Sequence, residues 1–102
     1  MEMFRGDTFL KEIFSEDYEF KPNDQMHVAV LKSAYSDKFL YEKKIIIDKE
    51  TNKVELEIPP KETSQFPTEK IILEIELTTK DGFVKTNQYE LDVKADGING
   101  QN

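Results

Sequence analysis

Regular alternation of apolar and polar residues in the second half of the chain predicts three β-strands. Residues 54–58, 71–78 and 89–93 carry Leu, Ile, Val or Tyr at every second position, and most of the residues between them are Glu, Asp or Thr. Successive side chains of a strand point to opposite faces of a sheet. The pattern therefore predicts antiparallel strands with one apolar face in a core and one acidic face in solvent.

The first half of the chain is less regular but also favours strands. Residues 8–15 would place Phe9 and Ile13 on one face and Leu10 and Phe14 on the other. Residues 25–32 are apolar on both faces, which is typical of an interior strand. Both faces of these two strands therefore carry apolar side chains, more than one core needs.

Two further segments predict strands with an irregularity. Residues 39–47 mix β-branched and aromatic residues, and we expect a bulge or bend near Lys43 and Lys44. Within residues 83–94, Val84 and Thr86 are out of phase with the later apolar positions, and a bulge near Asn87 would restore the alternation.

Turn signals divide these strands. Residues 21–24 and 48–52 are rich in turn-forming residues, and Asp81–Gly82 predicts a tight hairpin because Gly accepts a positive φ. Residues 60–64 predict one helical turn after two prolines, and residues 33–37 could form another. The whole pattern predicts an all-β fold, an immunoglobulin-like antiparallel β-sandwich of about seven short strands with at most one or two short helical turns. Residues 1–94 would form this single domain, and residues 95–102 a flexible polar tail or linker.

The amino-acid composition excludes several classes of functional site. The 102 residues carry 21 acidic and 14 basic side chains, a formal net charge of −7, and no cysteine. Disulfides, zinc–thiolate sites and cysteine nucleophiles are therefore excluded, and an acidic chain with one arginine is not expected to bind nucleic acid. No apolar run exceeds four residues and the N-terminal segment has no continuous apolar region, so we expect neither a membrane span nor a signal peptide.

Few residues suggest chemistry. Arg5-Gly6-Asp7 matches the cell-adhesion tripeptide, but a turn into the first strand explains it better, because Gly permits a sharp bend. His27 is the only histidine and lies within an apolar strand, which favours a partly buried structural residue. No nucleophile, phosphate-loop or metal-ligand motif is present, so we expect no enzyme activity, no cofactor and no metal site.

Several short motifs resemble a known family. They are Arg5-Gly6-Asp7-Thr8, Ile58-Pro-Pro-Lys-Glu-Thr63, Phe66-Pro67, Leu73-Glu-Ile-Glu-Leu77, Lys80-Asp-Gly82 and Tyr89-Glu-Leu-Asp-Val93. In this order they resemble the N-terminal domain of phage baseplate upper proteins and similar tail-associated proteins of Gram-positive phages and prophages. The resemblance extends from about Phe4 to Val93.

The resemblance implies a non-enzymatic structural module of a phage or prophage tail or baseplate. Such a module would be made in the bacterial cytoplasm, reside in the virion, and contact tail proteins or other copies of itself. The candidate contact residues are apolar side chains expected outside the core: Phe9 or Leu10, Tyr35 and Ile72. For each of them, packing in the core is the competing interpretation.

Two other functions remain open. A carbohydrate- or cell-surface-binding sandwich would use the loop aromatics Tyr18, Phe20 and Tyr35, lining one end of the domain. A glycoside-cleaving enzyme would need two of the many carboxylates placed about 5–10 Å apart, although most acidic residues alternate with apolar ones and are expected on solvated faces.

Overall fold

The computed structural model describes residues 1–95 as an all-β sandwich in which a five-stranded sheet packs on a two-stranded sheet. In chain order the elements are β1 (Glu2–Phe4), β2 (Phe9–Phe14), β3 (Gln25–Leu31), β4 (Phe39–Ile46), β5 (Lys53–Ile58), α1 (Pro60–Thr63), β6 (Lys70–Thr78) and β7 (Val84–Lys94). Seven strands and one short helix confirm the predicted fold class. The prediction for residues 95–102 falls, beyond Ala95, outside the described residues.

The strand order explains why the fold is immunoglobulin-like. The larger sheet has the order β1-β7-β6-β3-β4, and the smaller sheet pairs β2 with β5. The run β4-β3-β6-β7 corresponds to the C′CFG sheet of immunoglobulin domains, and β2 and β5 to strands B and E of the opposite sheet. All pairs are antiparallel except β1 with β7, which is parallel. Strand β1 was not predicted, since three residues are too few to show alternation.

The core lies between the inner faces of the two sheets. β6 contributes every second residue, as the alternation predicted, and these lie beside the inner side chains of β3 and face those of β2 and β5 in the other sheet. The buried apolar residues of this cluster are Met3, Phe9, Ile13, Phe20, Met26, Val28, Val30, Ile47, Leu56, Ile58, Phe66, Ile71, Leu73, Ile75, Leu77, Leu91 and Val93. Without disulfides, burial of this apolar surface is the main source of stability.

The predicted bulge in β4 is present but three residues earlier than expected. β4 pairs with β3 in regular register from Ile46 to Tyr41, and Leu40 is then the extra residue, because Leu31 pairs with Phe39. The bulge lets two successive side chains, Leu40 and Tyr41, pack against the core. Lys43, by contrast, needs no bulge, because it is exposed on the inner face of an edge strand.

The predicted bulge near Asn87 is wrong. β7 pairs with β6 without interruption from Val84 to Asp92. Asn87 lies on the inner face beside Ile75 but is exposed there, and Val84 and Thr86 are exposed on the outer face. The apolar alternation changes phase because the first half of β7 extends beyond the core, where neither face of the strand is buried. The backbone itself is regular there.

The predicted connections are largely confirmed. The Asp81–Gly82 hairpin closes with a hydrogen bond from the Thr79 N–H to the Phe83 carbonyl, and Gly82 has φ +90°. Residues 60–63 form the expected helical turn, with Pro60 at its first position. Residues 33–37 form a turn held by Ser36 N–H to Ser33 carbonyl, with no helix. The described residues hold no helix long and apolar enough to cross a bilayer.

Candidate functional site on the outer face of the larger sheet

The pairing of β2 with β5 decides which of the two predicted contact residues, Phe9 or Leu10, is exposed. Phe9 is a correction: it pairs with Ile58, faces the core and is 6% exposed, so it is not available to a partner. Leu10 faces away from the core and is 58% exposed. Phe14, four residues further along the same face of β2, is also exposed. The small sheet thus has an outer face with two apolar side chains and the acidic Glu12 between them.

The outer face of the larger sheet is polar and acidic over two of its rows of paired residues. One row, read across β4, β3, β6 and β7, is Lys44, His27, Glu76 and Thr86. The next row is Glu42, Ala29, Glu74 and Gln88. The Gln88 amide donates to Glu74 at 2.8 Å, so neighbouring strands are also linked by side chains on this face.

The third row breaks this acidic coat. It consists of Phe39, Leu31 and Ile72, paired across β4, β3 and β6, and ends at Glu90 on β7. Leu31 is only 5% exposed although it points away from the core, Ile72 is half buried, and Phe39 is 47% exposed. We call these three residues the apolar row. Its members come together only through strand pairing, since Leu31 and Ile72 lie far apart along the chain.

The loop beside the apolar row carries the most exposed aromatic residue. Tyr35 lies in the connection between Leu31 and Phe39 and is 98% exposed. The structure therefore brings two predicted contact residues, Ile72 and Tyr35, to the same end of the same sheet. Leu31 and Phe39 were missed by sequence reasoning, because both looked like ordinary members of buried strands.

His27 borders this region and is partly buried, as predicted. Its ring lies edge-on to the Phe39 ring at 5.8 Å between centroids, and its Nε2 is 2.5 Å from Glu42 Oε2. The Phe39 ring thus packs against the His27 ring while 47% of the residue stays exposed.

A buried polar network closes one end of the sandwich. The Asp24 carboxylate accepts hydrogen bonds from the Tyr18 hydroxyl at 2.6 Å, the Lys21 N–H at 2.9 Å and the Lys80 N–H at 3.3 Å. Burial opposes ionisation of Asp24, but these hydrogen bonds outweigh it, and the pKa of Asp24 is lowered. The hydrogen bond to Asp24, with burial, raises the pKa of Tyr18 to about 12. These partners give the Asp24 carboxylate a structural role.

The Arg5-Gly6-Asp7 segment is the turn that was expected. Gly6 has φ +89°, and the Asp7 N–H donates to the Phe4 carbonyl at 3.2 Å. The buried Thr63 hydroxyl donates to the Asp7 carbonyl at 2.7 Å, which ties this turn to α1. The Thr63 side chain thus explains why two separate motifs of the sequence meet at one end of the fold.

The aromatic end proposed for carbohydrate binding does not form. Tyr18 and Phe20 precede β3, whereas Tyr35 follows it, so seven residues of extended strand separate the two positions. Phe20 is buried in the core, and the Tyr18 hydroxyl is bonded to Asp24. Among residues 1–95, no three His, Asp or Glu side chains are gathered so that they could hold a metal ion.

Comparison with known proteins adds no relative. No protein-family model, curated protein or solved structure matches the chain.

Proposed function

We propose that this protein is a non-enzymatic structural module of a phage or prophage tail, which assembles in the virion through protein–protein contacts. The observation that carries the contact role is the apolar row with Tyr35 beside it, which adjoins the two polar rows of the outer face. Exposed apolar groups that are rimmed by charge are typical of protein interaction sites. The assignment to a tail is supported by the resemblance of the motifs from Arg5 to Val93.

The chemistry of the row suits a protein partner. Phe39 and Tyr35 offer large aromatic surfaces with few rotatable bonds, and residues of this kind dominate the binding energy of many interfaces. Glu42, Glu74 and Glu90 lie around the row and would form the polar rim. A partner with an apolar protrusion and basic side chains around it fits this arrangement.

The test is capture of tail proteins from disrupted phage particles of the host, with the purified protein immobilised and the retained proteins identified by mass spectrometry. We expect the wild-type protein to retain proteins that mass spectrometry identifies as tail or baseplate components. The Phe39→Ser variant should not retain them. Phe14→Ser is the matched control, because Phe14 is 58% exposed on the other sheet, away from the row.

Retention of no tail protein by the wild type would contradict the proposal, as would equal retention by Phe39→Ser. Thermal melting of all three proteins shows whether a loss of binding is a loss of folding. Genes for tail proteins on either side of its own gene would support the same assignment independently.

A further inference from the structure

The outer edge of β7 is open over most of its length. Phe83 and Thr79 form a hydrogen-bonded pair, and because such pairs alternate along an antiparallel ladder, Lys85, Asn87 and Tyr89 bond to β6. The backbone groups of the even-numbered residues therefore point the other way. β1 covers only the end of this edge, where the Asp92 N–H donates to the Met1 carbonyl and the Arg5 N–H to that of Lys94. Residues 84–90 remain uncovered, and we call them the free edge.

This edge differs from the opposite edge of the same sheet. β4 carries the run Glu42-Lys43-Lys44 and a bulge at Leu40, and charges and bulges are devices that keep edge strands from pairing with other chains. The free edge has no bulge, lacks proline and has three consecutive uncharged residues, Thr86, Asn87 and Gln88, at its centre. Its backbone groups are thus ready to accept another strand.

A second copy of the free edge is a complementary occupant. Antiparallel pairing of residues 84–90 with themselves places a two-fold axis at Asn87 and opposes Val84 to Glu90, Lys85 to Tyr89 and Thr86 to Gln88. None of these pairs joins two like charges, and the even-numbered residues whose backbone groups are free become the hydrogen-bonded pairs. The paired segment is limited at both ends by the fold. The hairpin precedes Val84, and β1 covers the edge of β7 after Glu90.

We propose that two copies of this chain pair antiparallel through the free edge, so that their larger sheets become one continuous sheet with the apolar rows on the same outer surface. The pairing rests on the proposed function, because it supplies the contact between copies in the assembly while the apolar rows stay available to a tail protein. Two-fold dimers are the commonest form of homo-oligomer, and each would present its binding row twice.

The test uses the self-opposed residue of the proposed axis. Asn87 is exposed, so Asn87→Lys and Asn87→Asp are expected to fold with the circular dichroism spectrum of the wild type. Sedimentation velocity over a concentration series should show a dimer for the wild type. Each variant places two like charges directly opposite one another, which should weaken the dimer roughly tenfold. An equal mixture of the two variants should regain the dimer, because Lys then faces Asp.

Asn52→Lys is the matched control, since Asn52 is exposed and belongs to the connection between β4 and β5, outside the free edge, and it should dimerise as the wild type does. A wild type that is monomeric at its highest soluble concentration would overturn the proposal. A dimer that both Asn87 variants leave unchanged, or a mixture that stays monomeric when the separate variants are monomeric, would overturn it as well. A monomeric wild type that still retains tail proteins would remove the dimer and leave the proposed function standing.

Discussion

Both ends of the sandwich contain a buried polar side chain that ties loops together, but the two side chains act in different ways. At the end where β3 begins, Asp24 accepts three hydrogen bonds from two loops, and its backbone bonds to Ile47. At the opposite end, Thr63 donates one hydrogen bond to the carbonyl of Asp7. One end is therefore organised by a buried charge and the other by a neutral hydroxyl.

The difference follows from what each end must join. The β2–β3 loop, the end of β4 and the β6–β7 hairpin meet around Asp24, and a carboxylate can accept hydrogen bonds from several of them at once. Thr63 joins only α1 to the turn at Asp7, for which one donor is sufficient. Apolar packing is not directional, so it does not by itself fix how a loop is oriented. In a domain without disulfides, hydrogen bonds to buried polar side chains supply that orientation.

Removal of the Asp24 side chain should be the most damaging polar substitution. Asp24→Ala leaves the Tyr18 hydroxyl and two backbone N–H groups without their acceptor, and we expect a loss of about 3 kcal/mol of unfolding free energy. Asp24→Asn keeps the shape and one acceptor oxygen, and should lose about half as much. Urea denaturation measures both. Asp48→Ala, at an exposed aspartate, is the control and should stay within about 0.5 kcal/mol of the wild type.

A loss for Asp24→Ala no larger than that for Asp48→Ala would show that the network does not hold this end together. In that case the loops at this end would be held mainly by apolar packing around Phe20 and Ile47, which are both buried there.

The charge at Asp24 should also make the two ends respond differently to pH. Its pKa is lowered in the folded protein, so its stabilising effect is present above the ordinary aspartate pKa of about 3.9 and is lost as the pH falls through the folded value. The stability difference between the wild type and Asp24→Asn should therefore shrink below about pH 4. Denaturation curves at several pH values measure it, and a difference that stays constant down to pH 2 would contradict the role of the charge.

Much of this fold could be predicted because the relevant signals are local. The strict alternation in β5 and β6 predicted both strands and their inner faces, and Asp81–Gly82 predicted its hairpin. The position of the β4 bulge could not be predicted, because it depends on Leu40 reaching the core from an edge strand. Likewise, the turn containing Asp24 was visible, but its burial depends on Tyr18 and Lys80, which only the folded chain brings close.

The candidate site shows the same division. Ile72 was identified as an apolar residue at a solvent-facing position of a regular strand. Phe9 and Leu10 were equivalent in the sequence, because the pattern of β2 does not say which face meets the core. Leu31 and Phe39 join Ile72 only through the register of three strands, and register is set by the whole sheet.

The Thr63 end should be less sensitive than the Asp24 end. Thr63→Val keeps the volume of a fully buried side chain but leaves the Asp7 carbonyl without its donor, and we expect a loss of about 1.5 kcal/mol with no dependence on pH. Thr68→Val, at an exposed threonine, is the control. A loss equal to that of Asp24→Ala would mean that the two ends are equally dependent on their polar residues.

The smallest expected loss of stability comes from replacing a turn glycine, and it should be the same at both ends of the sandwich. Gly6 near Thr63 and Gly82 near Asp24 have φ +89° and +90°, and a Cβ at either would meet no atom within 4 Å. Gly6→Ala and Gly82→Ala should therefore each cost about 1 kcal/mol, from the backbone conformation alone. Thermal denaturation of the two variants measures the costs. A clearly larger cost at Gly82 would mean that distortion of its hairpin reaches the Lys80 hydrogen bond to Asp24, so that the charged network stiffens its end of the sandwich beyond its own contacts.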